Sequence, residues 1–560
     1  MGYDVVIRNG FVVDGSGLGA YRADVGVTGD RIAKIGRISD RGTIDLDAEG
    51  MVVTPGFIDV HTHFDAQLFW DAPGTNSCWH GVTTVVMGNC GFTLAPASFD
   101  EAPLVVRNLE RAEDISGVAL AAGIDWSWTS FPEFLDAVDR LPKGINYVPL
   151  FGHSAVRTHV MGQRAFEEEA TDDDLRAMEF QLREGLAAGA AGFSTSRTVH
   201  HQTSDDRPVA SRLAAWSEID HLVRVVGDAG GGAFQFVEDP LTGDDEVARR
   251  TIQIGLAAET GVTFAIATMK PSALATLDLA TSAGARFVGV CHPRGIGAMS
   301  SFRTQLPFDR LPVWRELRAL PLDEQLRQLH KPEVVADLVR AARESTYGEA
   351  FGAEARPPEF DRMRVLDAPV PPNPTVAEVA RARGVDPVEC MIQLAVETEL
   401  DQFFVQTFSP FDDDVVAEVL RHRHVVMGFS DSGAHVSQMS DASIQTHLLA
   451  HFVRNRGTFT FEEAVRMMTL APARAWGFHD RGMVREGLVA DLIVIDPATV
   501  APAMPTVVHD LPGGEPRISQ QSVGIAATLV RGRVTVRDGV HTGDFPGELI
   551  RRGAVAVSGG

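Results

Sequence analysis

Cysteine is scarce: the 560 residues hold four, Cys78, Cys90, Cys291 and Cys390, too few for a disulfide framework in a chain of this length. A reducing compartment is expected, with at least one thiol open to chemistry while Cys78, Cys291 and Cys390 read as inert small apolar residues. No apolar stretch runs unbroken for about 18 positions, which argues against a membrane-spanning helix. The opening MGYDVVIRNG lacks the basic start and apolar core of a secretion signal, and it lacks the Ser or Thr that an acylation signal on Gly2 requires. Basic residues are also in deficit. Lys plus Arg number 50 against 75 Asp plus Glu, and the formal charge of -25 disfavours nucleic acid or an anionic membrane as partner. Low-complexity tracts are missing, and so is any repeat beyond one recurring strand-helix unit. What remains is a globular cytoplasmic protein whose partner is a small molecule. With 44% hydrophobic residues it can bury a large core divided among more than one domain.

The ends of the chain share one texture. From Tyr3 to about Val53, short alternating strands are punctuated by Asn9-Gly10 and Gly29-Asp30, and β-rich runs return in ADLIVIDPATV and ATLVRGRVTVRDG near the C-terminus. Two such ends flanking a different middle predict a small β-sandwich built from residues 1–55 and 481–560. In the middle, short apolar runs alternate with segments of helical period such as DDDLRAMEFQLREGLAAGAAG. Eight runs are countable: GFIDVHTH, TTVVMGNCG, INYVPLFGH, GFSTS, GGAFQF, TFAIAT, RFVGVC and VVMGFSD. They predict a (β/α)8 TIM barrel over 56–480, an α/β fold whose chemistry sits at the C-terminal ends of the strands. Connections at about 92–144 and 292–424 exceed what a crossover needs. Such insertions shape a pocket or offer surface for a homo-oligomer.

His61 and His63 close the first run in GFIDVHTHFD. In a strand of period two they face the same way, and neutral imidazole is a common metal ligand. The pair alone fits a polar core as well as a metal site; its place at the end of the first of eight strands favours the metal. Cys90, bracketed by glycines in GNCG, ends the second run and is read as a ligand rather than an inert apolar thiol. Asp431 ends the eighth. Cys291 lies before His292-Pro293-Arg294, and Arg294 is either a cation that orients a substrate carboxylate or a surface arginine. After the fourth run, TSRTVHHQTSDDRP brings Arg197, His200 and His201 beside the barrel mouth, to bind substrate or ligate, or simply to form a solvated loop. His435 follows Asp431 by four residues and either approaches the metal or caps the loop.

PGFIDVHTHFD, GVTTVVMGNCG, LFGHSAVR, AGAAGFSTS, GFSDSGAH and APARAWGF with RGMVREGLVADLIVIDP together resemble the amidohydrolase superfamily, and within it the N-acyl-D-amino-acid deacylases, the D-aminoacylase branch. The resemblance runs in order along nearly the whole chain. It implies a metal-dependent barrel beside a terminal β-sandwich, in agreement with the reading from the residues. The fourth strand, GFSTS, carries no lysine, unlike hydantoinases and dihydroorotases, where a carboxylated lysine stands. Carried over by position, the resemblance makes His61, His63, Cys90 and Asp431 metal ligands, with Asp431 also the catalytic proton-transfer base. Two further family ligands are histidines ending the fifth and sixth strands, and here Gln235 and Thr268 stand at those positions. Neither is a good zinc ligand, so one ion, zinc or another divalent metal, is expected instead of two. Lys270 holds the family's place for a residue that meets a substrate carboxylate, or is an exposed lysine. His153, in LFGHSAVR, either supports the site and substrate or is a hydrogen-bonded structural histidine.

Three functions follow. The first is metal-dependent hydrolysis of a linear amide, deacylating an N-acyl-D-amino acid. The second is hydrolysis of another C–N bond, in a cyclic amide or an N-carbamoyl compound, because Gln235 and Thr268 alter the pocket. The third is a non-catalytic, metal-poor homologue, which the joint retention of four ligand positions disfavours.

Overall fold

The computed structural model describes residues 2–238, 243–347, 356–408, 411–438 and 441–553. The short apolar runs form strands buried on both faces. Val82–Met87 has all six residues buried, as expected of a parallel strand covered by helices. It pairs in parallel with Phe57–Asp59 on one side and Asn146–Pro149 on the other. Past Leu150 the chain enters Phe151–Gly152, which opens a second parallel sheet through Gly192–Ser196, Ala233–Val237, Thr263–Ala267, Arg286–Cys291 and Val425–Met427. All eight expected runs are therefore strands, in chain order and parallel. Ile58, Val86, Val148, Ala265, Val290 and Val426, drawn from both sheets, meet in one apolar cluster.

Helices join the strands, and their ends are written in the sequence. Asp172–Ala188 starts at a reciprocal cap between Thr171 and Asp174 and stops at Gly189 in the left-handed region, φ 116°. Trp216–Asp228, Gly243–Thr260, Leu274–Ser282 and Asp413–Arg421 fill the later crossovers. The 92–144 connection holds three α-helices, Ala102–Leu109, Gly117–Gly123 and Phe131–Arg140. The 292–424 connection has its own core around Trp314, Leu338 and Met391. It also has an antiparallel sheet of Gly297–Ser300, Phe404–Thr407 and Arg364–Val365.

Both termini build the remaining sheets. Val52–Pro55 pairs with Leu492–Ile495, which pairs with Ile525–Val530, and Tyr3–Arg8 lies between Asp24–Thr28 and Gly42–Asp47. Side chains of both sheets share one apolar cluster including Ile7, Val25, Val53, Leu492 and Leu529. The C-terminal segment also reaches the parallel strands: Tyr147 N–H donates to the Glu548 carbonyl at 2.9 Å. Ile518, in the strand Arg517–Ser519, donates its N–H to the Val436 carbonyl at 2.7 Å. Among the described residues no helix is long and apolar enough to cross a membrane.

Candidate metal centre

Strand pairing stops at Asp59, so His61 and His63 lie beyond the pleat and their convergence has a different cause from strand alternation. Backbone bonds to the loop after Val425–Met427 set it. Asp431 N–H donates to the His61 carbonyl at 3.2 Å, and His63 N–H donates to the Ser432 carbonyl at 2.7 Å. Gly433 makes this approach feasible, because at its φ of +95° an added Cβ would sit 2.5 Å from the His63 carbonyl oxygen. The two imidazole rings end 5.4 Å apart.

Cys90 is held by a dense backbone cage. Its own N–H donates to Gln235 Oε1 at 2.6 Å, Gly88 N–H donates to Asp65 Oδ2 at 2.7 Å, and Gly91 N–H donates to Ser194 Oγ at 2.9 Å. Asn89 Nδ2 donates to the Thr62 and Val86 carbonyls. The turn needs this support because Cys90 sits at φ 56°, a region non-glycine residues rarely adopt. Phe429, Asp431 and His435 share that left-handed backbone, at φ 78°, 50° and 51°. Sparsely populated conformations cluster at sites whose geometry is over-determined by their surroundings.

Ligand atoms of His61, His63 and Cys90 all lie within 4.8 Å of one another and are buried. Cys90 Sγ is 3.4 Å from His61 Nε2, and Asp431 Oδ1 is 3.2 Å from His61 Nε2 and 3.4 Å from His63 Nε2. Ligand atoms about 2.1 Å from one ion stand about 3 to 3.4 Å apart, and these three separations lie near that range. The carboxylates make this cluster a place that favours positive charge. Burial would raise Asp431, but hydrogen bonds from His61 and His63 hold its carboxyl well below the usual range. Burial lowers His61 despite Asp431. Burial would lower His63 too, but Glu113 and Asp431 keep it well above the ordinary value. Burial pushes the Cys90 thiol up to about 12, so a thiolate there needs a cation beside it.

The other expected residues are placed variously. Gln235 faces Cys90 as a brace through its amide oxygen, and Thr268 is buried with its hydroxyl spent on the Ile266 carbonyl at 3.2 Å. His153 is fully buried, with Nδ1 2.8 Å from Thr195 Oγ1 and Nε2 2.8 Å from Glu218 Oε1. Arg197 donates to the Arg212 and Ala214 carbonyls and lies over the Trp216 ring. His201 bonds Ser196 Oγ at 2.7 Å and packs against Phe92. Arg294 is tied to Asp441 Oδ1 at 2.7 Å and Ser443 Oγ at 3.1 Å, and Lys270 is exposed. Sequence reasoning missed Glu113, whose Oε2 comes within 3.5 Å of His63 Nε2. It also missed a recess beside Asp431 lined by Asn76, Ser432, Asp441 and Arg517.

A model of the amidohydrolase family matches residues 46–536. The chain belongs to the amidohydrolase family. As an amidohydrolase it is a hydrolase of carbon–nitrogen bonds other than peptide bonds. It is 29% identical over 562 residues to the D-aminoacylase of Alcaligenes xylosoxydans xylosoxydans, covering 99% of this chain and 98% of the relative. To the N-acyl-D-glutamate deacylase of the same organism it is 28% identical over 563 residues, covering 98% and 97%. Among solved structures, the N-acyl-D-glutamate deacylase of Bordetella bronchiseptica, complexed with zinc and a phosphonate inhibitor, superimposes with a TM-score of 0.64. That structure shares 26% identity, over 98% of this chain and 100% of the other.

Proposed function

We propose that this amidohydrolase deacylates N-acyl-D-amino acids, releasing the free amine from a linear amide. The observation that carries the reading is the convergence of His61, His63 and Cys90 within 4.8 Å with Asp431 against both imidazoles. The deacylase relatives support the substrate class. In this reading the parallel strands close into a (β/α)8 barrel over 56–480 with insertions at 92–144 and 292–424, beside a β-sandwich of 1–55 and 481–560. The shared apolar cluster of the two parallel sheets and the bonds joining the Asp431 loop to His61 and His63 support closure.

His61, His63, Cys90 and Asp431 would hold one zinc or other divalent ion. When bound, that ion supplies Lewis acidity, which activates water and polarises an amide carbonyl. Asp431, kept ionised, accepts a proton from the attacking water as the new C–O bond forms. It returns that proton to the nitrogen as the C–N bond breaks, so an acid and an amine leave. Lys270, exposed after the sixth run, is a cation suited to a substrate carboxylate, whereas Arg517, which lines the recess beside Asp431, is committed to Asp71 and Asp510. Arg294, Arg197 and His201 act through the loops they fasten, and His153 through the strand and helix it joins. Four free cysteines suit a reducing cytoplasm.

The test is release of free amine from a panel of N-acetyl-D- and L-amino acids, a hydantoin and an N-carbamoyl amino acid, before and after metal removal. Metal-dependent turnover of the D-acyl compounds is expected. Turnover confined to the hydantoin or carbamoyl compound would replace this reading with hydrolysis of another C–N bond.

A further inference from the structure

Glu113 belongs to the first insertion, far in sequence from every strand end, yet its side chain is 1% exposed and enters the centre. Two loops are bolted together to bring it there. His435 N–H donates to the Glu113 carbonyl at 2.5 Å. The neighbouring Asp114, at φ 48°, accepts from Ser437 N–H at 3.0 Å and Ser437 Oγ at 2.7 Å. Glu113 Oε2 then stands 3.5 Å from His63 Nε2 and 3.7 Å from His435 Nε2. Neither carboxylate oxygen has a hydrogen-bond partner. A buried carboxylate without hydrogen bonds is costly unless a charge compensates it. Asp431 adds a second carboxylate, 3.4 Å from His63 Nε2. A divalent cation beside Nε2 compensates both.

We infer that Glu113 is a further ligand of the ion, through Oε2, supplied by the 92–144 insertion. The inference rests on the metal-dependent reading above. The spacing supports it, because 3.5 Å from His63 Nε2 matches the edge of a coordination shell as closely as the Asp431 contacts do. His435 stays at the rim, where it is 17% exposed.

The test is competition for zinc between a chromophoric chelator and the full-length protein, comparing wild type with Glu113→Gln, Glu113→Ala, His63→Ala and His435→Ala. Thermal unfolding with and without zinc accompanies each. Glu113→Gln preserves volume, and the bond from His435 to the residue 113 carbonyl survives either substitution. One equivalent of zinc in the wild type is expected, with affinity lowered at least about tenfold in both Glu113 variants and a smaller zinc-induced rise in unfolding temperature. Glu113 variants within twofold of wild type, while His63→Ala binds weakly, would overturn this inference and leave the metal reading standing. So would loss of a second, separate equivalent in the Glu113 variants. A wild type that binds no zinc would overturn both.

Discussion

Two buried clusters of histidine and carboxylate lie at the strand ends, and they are built on opposite terms. Around His153 the polar groups are largely satisfied. Both ring nitrogens are bonded at 2.8 Å, and Glu218 also takes Arg157 Nη1 at 2.5 Å, leaving Arg157 Nε as the side-chain nitrogen without an acceptor. Around His63 the same residue types are left wanting. His63 Nδ1 and both oxygens of Glu113 lack hydrogen-bond partners, and Cys90, Phe429, Asp431 and His435 sit in left-handed backbone. A satisfied network rigidifies the scaffold. An unsatisfied one on strained backbone is a site awaiting a charge.

Asp431→Asn breaks the comparison most sharply. Hydrolysis should fall about 10²- to 10⁴-fold with the unfolding temperature of the zinc-free protein nearly unchanged, read by amine release and by calorimetry. An equal loss at His153→Gln would erase the distinction between the clusters.

Glu218→Gln acts the other way. It leaves Arg157 and His153 without their carboxylate and should cost about 3 to 5 kcal/mol of stability, while zinc per folded molecule stays at the wild-type value. Burial alone would raise Glu218, but His153 and Arg157 bring it down to about 2. A glutamate depressed on folding favours the folded state when ionised. Its contribution is therefore complete above an ordinary glutamate value of about 4.3 and is lost as pH falls from there toward 2. Denaturant titrations across that window should show the variant less steep than wild type, and parallel curves would refute the assignment.

The smallest effect is expected at Gln235→Ala, which removes the acceptor of the Cys90 N–H. Stability should drop by about 1 to 3 kcal/mol and zinc affinity by about tenfold. Unchanged affinity would mean that the GNCG turn holds its shape unaided.

The same contrast explains what was legible from the residues alone. His61, His63, Cys90 and Asp431 each end an apolar run, and a strand end has a known place in a parallel α/β fold, so four positions scattered over the chain point to one centre. The pleat does not align the two histidines, because pairing ends at Asp59. The Asp431 loop does that work. Glu113 was not legible: it stands in a helical insertion without strand register, and an acidic residue in LERAEDISG looks like any solvated one until tertiary packing buries it. Arg294 looked free for a substrate because Asp441, its partner, lies 147 residues away. Val52–Pro55 pairs with Leu492–Ile495, and both strands lie in stretches with the β-rich texture that the two chain ends share. The return of Arg517–Ser519 and Glu548 onto the strands was not legible, since nothing local marks which surface a terminal segment will cover.

The central claim is that the His63 cluster works only when it holds a cation. Zinc added back in steps to metal-stripped full-length protein, with amine release from an N-acetyl-D-amino acid followed at each step, tests it most directly. Activity should rise from near zero and level off at one equivalent. Full activity in protein holding far less than one metal ion per chain would contradict the account.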